Sequence, residues 1–175
     1  MKIPPVKTLH SVLIVAALAA AGPALAQGND HRAPEVPAVL QVPDGNKVHF
    51  HAYAAGVQIY SWNGSSWVFL APEAFLYDAD GNLVGLHYAG PTWETLSGSK
   101  VVGARVAGST VDPTAIPWLL LQTRTAEGPG VLAPTTYIQR VNTAGGLAPA
   151  TPGTAVGDVA RVPYTAEYFF FRSAK

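Results

Sequence analysis

Along the chain, apolar and polar residues alternate in short runs, and glycine or proline cuts off nearly every run before a helix could mature. Beyond the N-terminal segment, the longest stretch free of both is residues 164–175, only 12 long. Globular helices usually run about 8–20 residues. Within the runs the period is two. Val48, Phe50 and Ala52 alternate with His49, His51 and Tyr53, and Tyr137, Gln139 and Val141 alternate with Ile138 and Arg140. A period of two places successive side chains on opposite faces of a strand. The pattern predicts an all-β fold.

Turn signals divide the middle of the chain into a meander of antiparallel hairpins. Asn63-Gly64 separates 57–62 from 65–70, Asp80-Gly81 separates 74–79 from 82–89, and Ser97-Gly98 separates 92–96 from 99–107. Asn-Gly and Asp-Gly favour two-residue turns because these need positive φ at both central positions. Such turns fix register. Around Asp80-Gly81, Leu76 is expected opposite Gly85 and Ala74 opposite His87; around Asn63-Gly64, Trp67 opposite Tyr60; around Ser97-Gly98, Glu94 opposite Val101. The bulky face, Phe75, Tyr77, Val84, Leu86 and Tyr88, is expected to be core. The His87 face is thin, flanked by Gly85 and Ala89, and suits either a pocket floor or a close backbone approach. Asp112-Pro113 marks one helical turn, and 116–121 reads as a strand buried on both faces. Residues 145–163 form a Gly/Pro/Ala-rich loop, long enough to be functional or mobile, and 164–172 close the chain as an aromatic strand. Together these predict a single-domain antiparallel β-sandwich or barrel built on a hairpin meander.

The N-terminus changes the picture of destination. Lys2 and Lys7, the apolar run 12–21 and Ala24-Leu25-Ala26 have the layout of a cleavable signal peptide. The expected organisation is a signal peptide over 1–26, a flexible leader over 27–37 and one β domain over 38–175, secreted or periplasmic. Cleavage after Ala26 takes the 11 Lys and Arg down to 9 against 11 acidic residues, a net charge near −2. With no basic block, nucleic acid is not an expected partner. The chain has no cysteine, which excludes disulfides, thiolate metal sites and a lipoprotein anchor. Asn63-Gly64-Ser65 matches a glycosylation acceptor, of consequence only in a eukaryotic secretory pathway. A small outer-membrane barrel suits the length, but its strands need about 9–11 alternating residues. The runs here are shorter and broken by proline, so the mature domain is not expected to be membrane-embedded.

Chemistry concentrates in Gly85-Leu86-His87-Tyr88-Ala89-Gly90-Pro91-Thr92-Trp93-Glu94, which carries an imidazole, a phenol, an indole and a carboxylate in ten residues. His87, Tyr88, Trp93 and Glu94 are the candidate ligand-binding residues, joined by Glu73 as a nearby acid and by Arg140 as a partner for an acid or a ligand anion. Trp62 and Trp93, beside turns, are expected as exposed platforms for a sugar or other ring, while Trp118 is expected in the core. Two carboxyls about 5–10 Å apart could hydrolyse a glycoside; Glu73 and Glu94 fit structural roles at turns better. His49 and His51 share a strand face, but no third ligand follows at a familiar spacing, so no metal and no cofactor are expected and a solvated polar face is. No nucleophile motif is present.

Several of these segments resemble one family. Gly56-Val57-Gln58-Ile59-Tyr60, Trp67, Pro72-Glu73-Ala74, Gly81, and the motif from His87 to Glu94 are similar to the exported domain of unknown function 3455. So are Gly98-Ser99-Lys100-Val101, Ala115-Ile116-Pro117-Trp118-Leu119-Leu120-Leu121, and Tyr137-Ile138-Gln139-Arg140-Val141-Asn142-Thr143-Ala144-Gly145-Gly146. The resemblance implies a single secreted β-rich domain with no established activity. Relatives carry a cysteine just after the Gln-Ile-Tyr segment and another in the loop after the Gly-Gly pair. If those pair, the long loop here, with Ser61-Trp62 in the first place, is less tethered. Some fungal relatives carry a malate dehydrogenase label. Here the nearest thing to a dinucleotide fingerprint is Gly128-Pro129-Gly130-Val131-Leu132-Ala133, which opens no helix and loses an N–H to its proline.

The expected function is binding of a small or carbohydrate-like ligand outside the cytoplasm; small molecules or glycans are the expected partners. The rival readings are a hydrolase-type enzyme using His87 with Glu94 or Glu73, and a structural envelope protein without ligand. Dehydrogenase activity is not expected. If His87 and Glu94 line an open pocket, His87→Ala and Glu94→Gln change stability by no more than about 1 kcal/mol. Trp118→Ala, in the core, then costs on the order of 3–5 kcal/mol.

Overall fold

A computed structural model describes residues 31–175. The expected signal peptide and its cleavage site, together with residues 27–30 of the leader, lie outside the described residues. Eight strands follow a short 3-10 turn (Ala38–Leu40): β1 (Asn46–Trp62), β2 (Trp67–Tyr77), β3 (Leu83–Tyr88), β4 (Thr92–Thr95), β5 (Lys100–Ser109), β6 (Trp118–Glu127), β7 (Thr135–Gly145) and β8 (Val159–Ser173). Each pairs antiparallel with the next, and β8 returns to β1, so the meander closes into a barrel. The closing seam runs from Asn46 opposite Ser173 to Ser61 opposite Val159. Closure removes the edges on which open sheets aggregate.

An eight-stranded barrel has room inside only for its own side chains or one small ligand. Here the inner wall is thin on one side, with Ala52, Ala54, Ala74 and Gly85, and bulky on the other, where Trp93, Tyr164, Tyr168 and Phe170 meet Leu121 and Ile138. This reverses the expected orientation of the β2–β3 hairpin. Phe75 and Leu86, assigned to the core from their bulk, are 52% and 40% exposed on the outer face. The small face points inward because large rings from β4 and β8 need that space.

A second apolar cluster lies on the outside, where Val48, Val141, Phe169 and Phe171 are covered by Val36 and Val42 of the N-terminal segment. Gln139 Nε2 donates to the Leu40 carbonyl at 2.7 Å, fastening the 3-10 turn to β7. Trp118, the expected core indole, is half-buried and packs here rather than in the lumen.

Register is as expected around Asp80-Gly81, with Ala74 opposite His87 and Leu76 opposite Gly85. Asp78 holds that turn by accepting the backbone N–H groups of Asp80 and Asn82. That reversal spans 79–81, and a bulge between Leu76 and Tyr77 restores the expected register; the other two turns are also longer than two residues, and their registers shift. Trp67 lies opposite Trp62, across a loop in which Asn63 Oδ1 accepts the backbone N–H groups of Ser65 and Ser66. Glu94 lies opposite Lys100, not Val101, because Thr95 pairs with Ser99 and Gly98 takes a positive φ of 84°. Asp112 makes a turn by accepting the Thr114 N–H, with no helix.

The loop after β7 is fastened along its length. Tyr60 donates to the Gly146 carbonyl at 2.6 Å, Trp67 Nε1 to the Thr151 carbonyl at 2.9 Å, and Trp62 exchanges backbone bonds with Gly157 and Asp158. Gly153 sits so close to the Trp62 ring that a Cβ would collide with it. The indoles of Trp62 and Trp67 thus tie down a loop that the cysteine-free sequence left untethered. At the opposite end, the glycines at 128 and 130 shape the β6–β7 loop so that Leu132, fully buried, plugs the barrel. Leu132 N–H donates to Ser99 Oγ at 3.1 Å.

The wall has one low point. The β3–β4 hairpin turns at Gly90-Pro91, while its neighbours β2 and β5 run on to Trp67 and Ser109. The barrel is therefore notched above this hairpin, and the notch opens to the lumen.

Candidate functional site

The ten-residue motif is the lip of the notch. Thr92 Oγ1 donates to the Ala89 carbonyl at 2.8 Å and Gly90 takes a φ of 122°, which together make the tight reversal. Gly85 is required because a Cβ there would strike the Glu94 carbonyl. His87 and Trp93 are a cross-strand pair pointing inward, with rings stacked 4.4 Å apart at 12°. They are 3% and 1% exposed. His87 Nδ1 lies 2.8 Å from the Thr92 carbonyl, which can only accept, so Nδ1 carries the proton and Nε2 is left as an acceptor. Burial, assisted by the Arg140 charge and opposed by the Thr92 bond, pulls the His87 pKa down to about 3. The imidazole is neutral at physiological pH.

The notch leads into a cavity of about 300 Å³. Phe69, Leu70 and Arg105 stand at its exposed rim, and His87, Trp93, Leu119, Leu121, Arg140 and Tyr168 line it further in. Arg140 is held by the Pro117 carbonyl, to which Nε and Nη2 donate at 3.1 and 2.8 Å. Its charge reaches Tyr60, His87, Tyr164 and Tyr168. Burial pushes all three phenols up, and the guanidinium opposes that shift. Trp93 Nε1 is buried with no protein partner in hydrogen-bond geometry, whereas Gln58, Tyr164, Tyr168 and Arg140 lie within reach of one another as a loose polar chain. Buried polar atoms are nearly always partnered, so an indole N–H left without one on the cavity wall marks a site.

Residues 43–172 match the family described as "Protein of unknown function (DUF3455)". The chain belongs to that family. No curated protein and no solved structure matches it.

In this DUF3455 barrel the six candidate residues fall into two groups. His87, Trp93 and Arg140 share the lumen. Tyr88 and Glu94 lie on the outer face, where the Tyr88 hydroxyl donates to Glu94 Oε2 at 2.6 Å. Glu73 is also outside, paired with Arg161 at 2.7 Å with both side chains largely exposed. His87 and Glu94, expected to act together, are thus separated by the sheet itself. Trp93, expected as an exposed platform, is a buried lumenal ring. Trp62 is half-buried edge-on against Trp67, with centroids 5.4 Å apart.

His49 and His51 do not form the expected solvated face. His51 stacks on Phe169 at 3.9 Å and its Nε2 lies 2.9 Å from Glu167 Oε2, while His49 lies 3.3 Å from Thr135 Oγ1. Burial pulls the His49 pKa down to about 4. Among the described residues, no three His, Asp or Glu side chains cluster as a metal site would require. Sequence reasoning missed Arg105, Leu119, Leu121 and Tyr168, which come from three other strands of the barrel. The one signal for Tyr168 was the alternation of Tyr164, Ala166, Tyr168 and Phe170 along β8, which all face inward.

Proposed function

We propose that this DUF3455 barrel binds a small, mainly apolar molecule through the notch above the β3–β4 hairpin. The observation that carries the reading is the pairing of an open cavity of about 300 Å³ with a buried wall donor, Trp93 Nε1, that has no protein partner. Ligand pockets are typically about 300–1,000 Å³, apolar in the main, with a few convergent polar groups. Leu119, Leu121, Phe69 and the face of Trp93 supply the apolar part. These walls favour a small molecule over a glycan, which would ask for more hydrogen-bonding side chains. The hydrolase reading loses support from the separation of His87 from Glu94. The lumen is filled with apolar and aromatic side chains where transmembrane barrels carry a polar interior, which counts against a lipid-facing barrel even though Phe75, Leu83 and Leu86 are exposed outside. No helix among the described residues is long and apolar enough to cross a membrane.

We propose as well that the chain acts outside the cytoplasm after cleavage following Ala26, as its first 26 residues suggest. Intact mass of exported protein is expected to correspond to a chain starting at Gln27; a retained Met1 sinks this. For binding, the Trp93 Nε1–H resonance is the reporter, assigned by its loss in Trp93→Phe. Titration with indole is expected to shift that resonance and those of Leu119 and Leu121. Shifts confined to the outer face would reject the lumen as the site.

A further inference from the structure

We infer that the molecule held in the notch is an organic acid: a carboxylate on an apolar or aromatic body. The inference rests on the proposed lumenal binding and names its ligand class.

Two guanidiniums, Arg105 and Arg140, line one cavity that no aspartate or glutamate lines. Two other cations of the barrel have acid partners. Lys100 meets Glu127 at 2.8 Å and Arg161 meets Glu73 at 2.7 Å. Arg140 has instead the Pro117 carbonyl, which takes two of its N–H groups, and the nearby Tyr168 hydroxyl, with no carboxylate partner among the described residues. A guanidinium carries five such donors, so the rest remain available beside the lumen. Arg105 has no hydrogen bond or ion pair among the described residues. Arg105 is exposed and Arg140 half-buried, so two positive charges meet at one recess of a chain whose formal net charge is zero, and an anion bound between them would be attracted by both.

The wall chemistry points the same way. The Trp93 indole N–H can only donate, and it is buried without a protein partner. Tyr168 adds a buried hydroxyl beside Arg140 and Tyr164. Arg105, Arg140 and Trp93 can only donate, against the His87 imidazole and the Tyr168 hydroxyl as acceptors, so the recess calls for a ligand rich in acceptors. A carboxylate supplies two oxygens in the planar geometry that a guanidinium fork matches. Inorganic phosphate would satisfy the cations yet leave Leu119, Leu121 and Phe69 in contact with water. An acid with an apolar body satisfies both halves of the cavity.

The test compares three probes by calorimetry and by the Trp93 Nε1–H resonance: indole-3-acetate, its neutral amide, and sodium phosphate. Indole-3-acetate is expected to shift the resonance and to bind at least tenfold more tightly than the amide, with the advantage shrinking as salt is raised. Arg140→Gln is expected to abolish that advantage. Because Arg140 also braces Pro117, the exposed and unpartnered Arg105→Gln serves as the second variant, with folding checked by near-UV circular dichroism; it is expected to reduce the advantage at least threefold. Equal binding of acid and amide overturns the anion inference and leaves lumenal binding standing. Phosphate binding as tightly as the acid overturns the requirement for an apolar body. If neither indole probe moves the Trp93 resonance, both this inference and the lumenal reading fail. An acid preference unchanged in both arginine variants assigns the selectivity elsewhere and also overturns it.

Discussion

The β3–β4 hairpin shows two unlike faces across one sheet thickness. Outside, Tyr88 bonds Glu94 and Glu73 bonds Arg161, every group is at least partly wet, and each charge has its partner. Inside, His87 is neutral and dry, the Trp93 indole N–H has no protein partner, and the nearest charge is a guanidinium lacking a carboxylate. The same ten residues supply both faces because strand side chains alternate. Closeness in sequence therefore gathered chemistry that the sheet then separated. Satisfied polar groups on a wet face need no ligand to explain them; unsatisfied ones on a dry face do.

The contrast breaks hardest at Trp93. Its ring is 1% exposed and packs against His87, Tyr168 and Phe170. Trp93→Ala is expected to cost on the order of 3–5 kcal/mol in denaturant unfolding. Trp118→Ala, first assigned that role, is expected to cost less because the indole is half-buried outside the lumen. If Trp118→Ala proves the more damaging of the two, the inner face is not the structural centre described here.

His87 comes next, and it tests the dry side through pH. Its folded pKa of about 3 lies below the ordinary 6.5, so the unfolded chain binds the proton first as pH falls. Stability is then complete above about pH 6.5 and is lost progressively towards pH 3, at about 1.4 kcal/mol per pH unit for each such group. His49, pulled down to about 4, contributes in the same direction. Between pH 6 and 5, above the range of ordinary carboxylates, wild-type protein is expected to lose stability with a slope near two protons. His87→Ala is expected to lower stability at pH 7 by about 1–3 kcal/mol, because the Thr92 carbonyl loses its donor, and to cut the slope to near one. This replaces the smaller effect expected when His87 was taken for an open-pocket residue. An unchanged slope would mean the imidazole is hydrated.

Much of the fold was legible in particular residues. The Gly and Pro spacing excluded helices, and Asp80-Gly81 marked the hairpin that pairs Ala74 with His87, although the reversal spans 79–81 and a bulge between Leu76 and Tyr77 restores that register. What stayed hidden was set by closure. Which face of β2–β3 points inward depends on how much volume β4 and β8 bring to the lumen, and no local pattern encodes that. Bulk in Phe75 and Leu86 consequently misled, whereas the small Ala74 and Gly85 were the true inner wall. The site was half legible for the same reason. His87, Trp93 and Arg140 were found from their chemistry, but Tyr168, Leu119, Leu121 and Arg105 join them only because β8, β6 and β5 curve around to face the hairpin. The loops at 63–66 and 96–98 were read one or two residues short, since Asn63 and Thr95 hold longer turns through their own side chains.

The smallest expected effect lies on the wet face, and it carries its own signature. Tyr88 donates to Glu94 at 2.6 Å, and this bond to a carboxylate is the main reason the phenol's pKa stands above its ordinary 10. Glu94→Gln keeps an acceptor of the same shape while removing the charge. Unfolding free energy is expected to change by no more than about 1 kcal/mol, as surface substitutions usually do. The Tyr88 titration, followed by ring resonances assigned through Tyr88→Phe, is expected to move down towards 10, because a phenolate no longer faces a carboxylate. The His87 slope between pH 6 and 5 is expected to be untouched, since the imidazole lies across the sheet. If Glu94→Gln altered that slope, the two faces would be electrostatically coupled through the wall, and the division between a wet, satisfied side and a dry, unsatisfied one would fail.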